Sequence, residues 1–158
     1  MGKTLIVKGA NFYQNCIDTV EPSQIYCNLI NPEEITQEKY INDKGNIANA
    51  GVNKEYYAIS GYIPVNGKNI YCPTEYMIDT SDSGSFGGYL VYDGNKELIR
   101  FERRRKKQYT YEDGDAYVIF PLRNDSLNNP TLTDGFSYPQ HFASYGDGAL
   151  PYVPYEES

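Results

Sequence analysis

Short apolar runs separated by turn residues, rather than any sustained helical period, dominate the chain. Residues 4–8, apolar at Leu5, Ile6 and Val7, predict a first strand closed by Gly9, and residues 23–30 predict a second. Asn31 ahead of Pro32, Glu33 and Glu34 predicts a short helical turn, since Asn caps a helix start and Pro tolerates the first helical position. Residues 39–58 read as a β-rich excursion folded at Asp43, Lys44, Gly45 and Asn46. Residues 57–65 and 69–78 flank Asn66 and Gly67, a pair that accepts positive φ and predicts a hairpin. The Ser, Asp and Gly content of 80–88 predicts a loop, and Asp93-Gly94 predicts a second hairpin joining 89–92 to 97–103. In 116–122, Ala116, Val118 and Phe120 face one way and Tyr117 and Ile119 the other, so both faces are apolar. That pattern predicts a central strand, with Pro121 ending its pairing.

After Asn124 the alternation stops and breakers multiply at Pro130, Gly135, Pro139, Pro151 and Pro154. The expectation is an all-β chain: an antiparallel, jelly-roll-like β-sandwich over residues 1–123 and an extended Tyr/Pro-rich arm over 124–158. Phe136, Tyr138, Phe142, Tyr145, Tyr152 and Tyr155 give the arm too many apolar bodies for a purely solvating tail, so it either wraps its own domain or docks on a partner.

Composition sharpens this picture. Of 158 residues, 17 are Tyr and 6 are Phe, with no Trp, which favours half-buried pleated surfaces. The length suits a single core. Cys16, Cys27 and Cys72 are too few and too scattered for a disulfide framework, and buried reduced thiols are expected. Neither a signal-peptide pattern at the N-terminus nor a membrane-length apolar run is present in the sequence. A net charge of −7 argues against nucleic-acid binding. Arg100, Arg103, Arg104, Arg105, Lys106 and Lys107, with Glu102 among them, nevertheless carry +5 and leave −12 for the remainder. That run reads either as a solvated edge whose like charges resist aggregation or as an electrostatic contact for an acidic partner surface.

Catalytic patterns do not assemble. Glu112, Asp113 and Asp115 precede the central strand and read as turn formers. Gly146, Asp147 and Gly148 lack the serine of an esterase motif, and His141 is the sole histidine, so neither a triad nor a Cys/His zinc site is expected. Met1, Gly2, Lys3 and Thr4 match only the end of a phosphate-binding loop. Asp79, Asp82 and Gly84 resemble a fragment of a calcium loop without its terminal glutamate, and an unliganded loop is expected there. The chain is therefore read as non-enzymatic, without cofactor or metal.

An ordered set of segments carries a resemblance. Asn28-Leu29-Ile30-Asn31, then Tyr40-Ile41-Asn42-Asp43-Lys44-Gly45, then Tyr57 through Val65 with Gly67, Lys68 and Tyr71 come first. Gly88-Tyr89-Leu90-Val91-Tyr92-Asp93-Gly94-Asn95-Lys96 and Asp115-Ala116-Tyr117-Val118-Ile119-Phe120 follow. Together they resemble the carbohydrate-binding-module-like β-sandwich domains of bacteriophage and prophage tail fibres and baseplate-associated proteins. The chain departs from that pattern at Ile119, where the family often has a basic residue, and at residues 103–107, where it often has a Thr/Ser-rich stretch. The resemblance implies a virion component acting in adsorption or assembly, made in the host cytoplasm, with other virion proteins as partners, a homo-oligomer (a trimer by analogy) and a host surface glycan as ligand. Alternatives are a free-standing carbohydrate-binding module or an accessory subunit of a polysaccharide-degrading enzyme. Tyr56, Tyr57, Tyr76, Tyr89 and Tyr109 are the candidate stacking rings. Arg103, Arg104, Arg105, Lys106 and Lys107, with Phe136, Tyr138, Phe142, Tyr152 and Tyr155 of the arm, are the candidate partner contacts.

Overall fold

The computed structural model describes residues 27–73, 86–124, 131–133, 135–138 and 141–156. The strand expected at 4–8, Cys16, Tyr76, Asp79 and Asp82 lie outside the described residues.

The described chain is all-β and every strand pairing in it is antiparallel. Its strands are β1 (Thr36–Gln37), β2 (Lys39–Ile41), β3 (Ile47–Asn49), β4 (Tyr57–Ile59), β5 (Ile63–Pro64), β6 (Ile70–Tyr71) and β7 (Leu90–Tyr92). They continue with β8 (Leu98–Phe101), β9 (Gln108–Tyr109), β10 (Tyr117–Ile119), β11 (Pro121–Arg123), β12 (Thr131–Thr133), β13 (Phe136–Tyr138) and β14 (Ser144–Tyr145). The sheets run β5-β10-β7-β8, β1-β4-β11 and β14-β6-β9, with β2-β3 and β12-β13 as separate pairs.

Burial explains the arrangement. The larger core collects Ile63, Val91 and Val118 from the four-stranded sheet, Ile70 and Tyr109 from β6 and β9, and Leu29, Phe120, Leu122 and Ala143 from the flanking segments. Two sheets thus contribute side chains to one interior, a sandwich-like packing. On the other face of the four-stranded sheet, Leu90, Tyr92 and Ile119 meet Ile41 of β2 and Ile59 of β4. Strand β10, between β5 and β7, is buried on both faces, which is why its sequence is apolar at successive positions.

Three turns form where their residue types predict them. Asn42 accepts the Lys44 and Asn46 N–H groups through Oδ1, closing the β2–β3 hairpin. Asp93 does the same for Asn95 and Glu97 in the β7–β8 hairpin. Asn31 accepts the Glu33 N–H at the start of a 3-10 turn, Pro32–Glu34.

Three expectations are corrected. Asn66 and Gly67 do adopt positive φ, 52° and 69°, but β5 pairs with β10 while β6 pairs with β14 and β9, so the turn links two sheets rather than a hairpin. Nor does Pro121 end the pairing, since it lies opposite Ile59 in a ladder that runs on to Arg123. Ser60 N–H donates to the Phe120 carbonyl, and Phe120 N–H donates to Ser60 Oγ. Pro121 is therefore at the next, non-hydrogen-bonded position of an edge strand, where no N–H is required. Between the β4–β11 and β5–β10 ladders the register advances by one residue, a bulge around Gly61 and Tyr62. Cys72 is a buried free thiol as expected, whereas Cys27 is disulfide-bonded.

The arm is bound along its own module. Strand β14 extends the sheet through β6, and Leu29 N–H donates to the Ala143 carbonyl. The buried Asn28 side chain accepts from Ile30 and Ala143 N–H groups and donates to the His141 carbonyl. Further along, Tyr145 Oη donates to the Pro64 carbonyl and accepts from Asn66, while Gln108 bridges to Gly146 and Gly148.

Candidate functional site

Where the arm meets the sandwich, a cavity of about 290 Å³ opens between Asn28 and Ile30, the Pro32–Glu34 turn, and the arm. Ile30, Pro32 and Ile35 form its apolar wall, and Gln37, Asn124, His141 and Tyr155 supply the other lining groups. Three elements position the polar rim. Gln37 ends β1, Asn124 directly follows β11, and the two strands flank β4. Asn124 Nδ2 donates to Gln37 Oε1 at 2.6 Å and to the Glu55 carbonyl at 2.9 Å. The carbonyl fixes the amide's orientation, because only the Nδ2 side can face it. Asn124 Oδ1 and Gln37 Nε2 are thereby left as an adjacent acceptor and donor.

The His141 ring is half-buried, with Nε2 3.0 Å from the Arg123 carbonyl, so Nε2 carries the proton and donates. Burial lowers its pKa, and the contact with the carbonyl opposes only part of that shift. Among the described residues, no carboxylate and no Lys or Arg side chain lines the cavity.

Beside the rim stands a stack of rings and guanidinium groups. The Arg123 guanidinium lies 5.6 Å from the Tyr56 ring centroid and 5.2 Å from that of Tyr57. Phe86 stacks on Tyr57 with centroids 5.4 Å apart and planes 11° apart, and Arg105 covers Phe86 at 4.3 Å. Tyr56, 38% exposed, presents its ring to solvent next to Glu55, whose carbonyl holds Asn124. Tyr57 is half-buried and occupied by Phe86 and Arg123.

Tyr89 and Tyr109 are in the larger core, packed edge-to-face with centroids 5.5 Å apart. Tyr109 Oη donates to Asp115 Oδ2 at 2.5 Å. Arg100 grips the same carboxylate with Nη1 and Nη2 at 2.6 and 2.7 Å, and the Glu112 N–H donates to it at 3.0 Å. Burial pushes the Asp115 carboxyl up, but its hydrogen bonds from Arg100, Tyr109 and Glu112 together outweigh this and hold it below the usual carboxylate range. Desolvation raises the Tyr89 hydroxyl to about 12. The acidic group of 112–115 thus serves the fold.

Half of the basic run is visibly engaged within the chain. Arg100 is held by Asp115, Arg105 is buried over Phe86, and Lys106 lies 3.6 Å from Glu102; Arg103 and Arg104 are exposed and Lys107 is half-buried. Among the arm residues, Tyr138 and Phe142 are buried and stacked at 5.5 Å, Tyr152 meets Phe142 edge-on at 5.7 Å, and Phe136 is half-buried on β13. Tyr155 packs against the larger core while lining the cavity.

Sequence reasoning singled out neither Gln37 nor Asn124, nor the exposed Tyr62. Asn and Gln occur throughout the chain, and what distinguishes this pair is the closure of β1 and β11 on either side of β4. No protein-family model, curated protein or solved structure matches the chain. No group of three or more His, Cys, Asp or Glu among the described residues is arranged to hold a metal ion, and none of their helices is long and apolar enough to cross a membrane.

Proposed function

We propose that this chain is a non-catalytic recognition module of the kind carried on phage tail appendages, a virion component that holds a host-surface glycan at the cleft beside Tyr56. The observation that carries the reading is the Asn124–Gln37 amide pair on the cavity rim, held by the carbonyl of Glu55, whose chain neighbour Tyr56 is 38% exposed. An exposed aromatic face stacks on a sugar ring while planar amides fix its hydroxyls, and neither task needs acid/base chemistry. The buried carboxylate of Asp115 is enclosed by Arg100, Tyr109 and the Glu112 N–H, a structural engagement that supports recognition rather than hydrolysis.

Saccharide titration followed by the chemical shifts of the Gln37 and Asn124 side-chain amides tests this. A saturable shift that Tyr56→Ala abolishes is expected, and hydrolysis of a polysaccharide by the purified chain would overturn the non-catalytic reading.

Assembly is a second role of the same module, favoured by a different observation. Leu98, Ile99 and Phe101 are exposed on β8, the edge of the four-stranded sheet, and an apolar edge of this kind suits attachment to a neighbouring virion protein or further copies of the chain. Light scattering checks it: a defined oligomer, three copies by analogy with fibre proteins, should fall to monomer in Ile99→Lys.

A further inference from the structure

We propose that the cleft selects an N-acetylated amino-sugar residue, its acetamido group seated on the Gln37–Asn124 pair. This deepens the glycan reading above and rests on it. Both hydrogens of Asn124 Nδ2 are taken, one by the Glu55 carbonyl and one by Gln37 Oε1, which also orients the Gln37 amide. What remains is one acceptor, Asn124 Oδ1, beside one donor group, Gln37 Nε2. A secondary amide offers the complement, an N–H to donate and a carbonyl to accept. Two neighbouring hydroxyls of a plain hexose can also satisfy a donor and an acceptor, so what favours the acetamido group over a diol is the methyl it carries.

The wall behind the pair points the same way. Ile30, Pro32 and Ile35 give an apolar surface suited to the acetamido methyl, which a plain hexose would leave facing hydroxyls. Because the described residues that line the cavity include no carboxylate and no Lys or Arg, neither a free ammonium nor a carboxylate on the ligand would find a counter-charge among them. At about 290 Å³ the space is below the usual range for drug-sized ligands and matches a single ring with its substituent.

Affinities of the full chain for N-acetylglucosamine, glucose, glucosamine and a blocked dipeptide, read by two-dimensional amide NMR, decide the matter. N-acetylglucosamine should bind about tenfold more tightly than glucose or glucosamine, the worth of one or two added hydrogen bonds and a buried methyl. Gln37→Glu keeps the acceptor for Asn124 but replaces the free donor by an acceptor, so it should abolish the preference with the amide spectrum otherwise intact. Equal binding of glucose and N-acetylglucosamine would overturn this inference and leave the glycan reading standing. Tighter binding of the blocked dipeptide would make the cleft a peptide site and overturn it too. If no saccharide binds at all, the glycan reading itself fails.

Discussion

The single residue on which most of the fold's polar chemistry converges is Asp115. Its side chain is 0% exposed and accepts hydrogen bonds from a guanidinium, a phenol and a backbone N–H. Replacing it by Asn removes the charge that Arg100 and Tyr109 were built around, and leaves the half-buried guanidinium without a full partner. Asp115→Asn should cost about 3 kcal/mol, the low end for breaking a buried pair because Arg100 retains some solvent contact, measured by urea denaturation. The pH dependence has a definite sign. Since the folded carboxyl titrates below the ordinary 3.8, the unfolded chain binds the proton first, and stability is lost as pH falls through and below that value. His141 acts in a higher window. Its folded pKa lies below the ordinary 6.5, so acidification beneath 6.5 favours the unfolded or locally opened state. The protection factor of the Leu29 amide, whose N–H is bonded to Ala143, should therefore fall between pH 6.5 and 5 once the intrinsic exchange rate is divided out, and much less in His141→Gln.

At the scale of elements, close backbone approach matters as much as pairing. Gly88 leads into β7, and a Cβ there would come within 2.0 Å of the Arg104 carbonyl oxygen and 3.0 Å of the Glu102 oxygen. Both are backbone atoms that cannot turn aside. Gly88→Ala should destabilise by about 3 kcal/mol or more through forced displacement of the strand entry, seen as a lowered Tm and exchange broadening in the 102–105 amides. The local devices were legible in the sequence because each contains its own cause. Asn42 and Asp93 build their hairpins by accepting, through their own side chains, backbone N–H groups two and four residues on, and β10 declares its central place by being apolar on both faces. The partners of those strands were not legible. Asn66-Gly67 fixes a turn but not what pairs on either side of it, which is decided by the burial of Ile63 and Ile70 in different sheets. Pro121 misleads for a related reason, since its missing N–H matters only at a hydrogen-bonded register position. The cleft was hidden more deeply. Gln37 and Asn124 stand 87 positions apart, and only the β1-β4-β11 order brings their amides together.

For the whole molecule, the question is whether residues 124–158 are an appendage or part of the fold. Their composition, rich in breakers and rings, suits either. The contacts favour structural membership: Ala143 belongs to the larger core, Tyr138 and Phe142 are buried, β14 completes the sheet of β6 and β9, and Tyr138 Oη donates to the Leu150 carbonyl. Removing the segment would expose Leu29 and Ile70 and leave the buried Asn28 amide without its Ala143 and His141 partners. A chain ending at Asn124 should therefore lose cooperative thermal unfolding or show a Tm lowered by tens of degrees. Asn28→Ala in the full chain, which leaves the arm present but removes its buried tie, should cost about 2–3 kcal/mol, the penalty for stranding buried backbone groups. These two measurements separate the alternatives. An arm that merely docks on partners would leave the truncated chain as stable as the full one and Asn28→Ala near neutral. An arm that is part of the fold makes both costly, and because Tyr155 lines the cleft, it also makes ligand binding sensitive to the segment's attachment. In that case Asn28→Ala should weaken N-acetylglucosamine binding both by loosening the arm and by removing a side chain that itself lines the cavity, an effect read from the same titration used for the cleft.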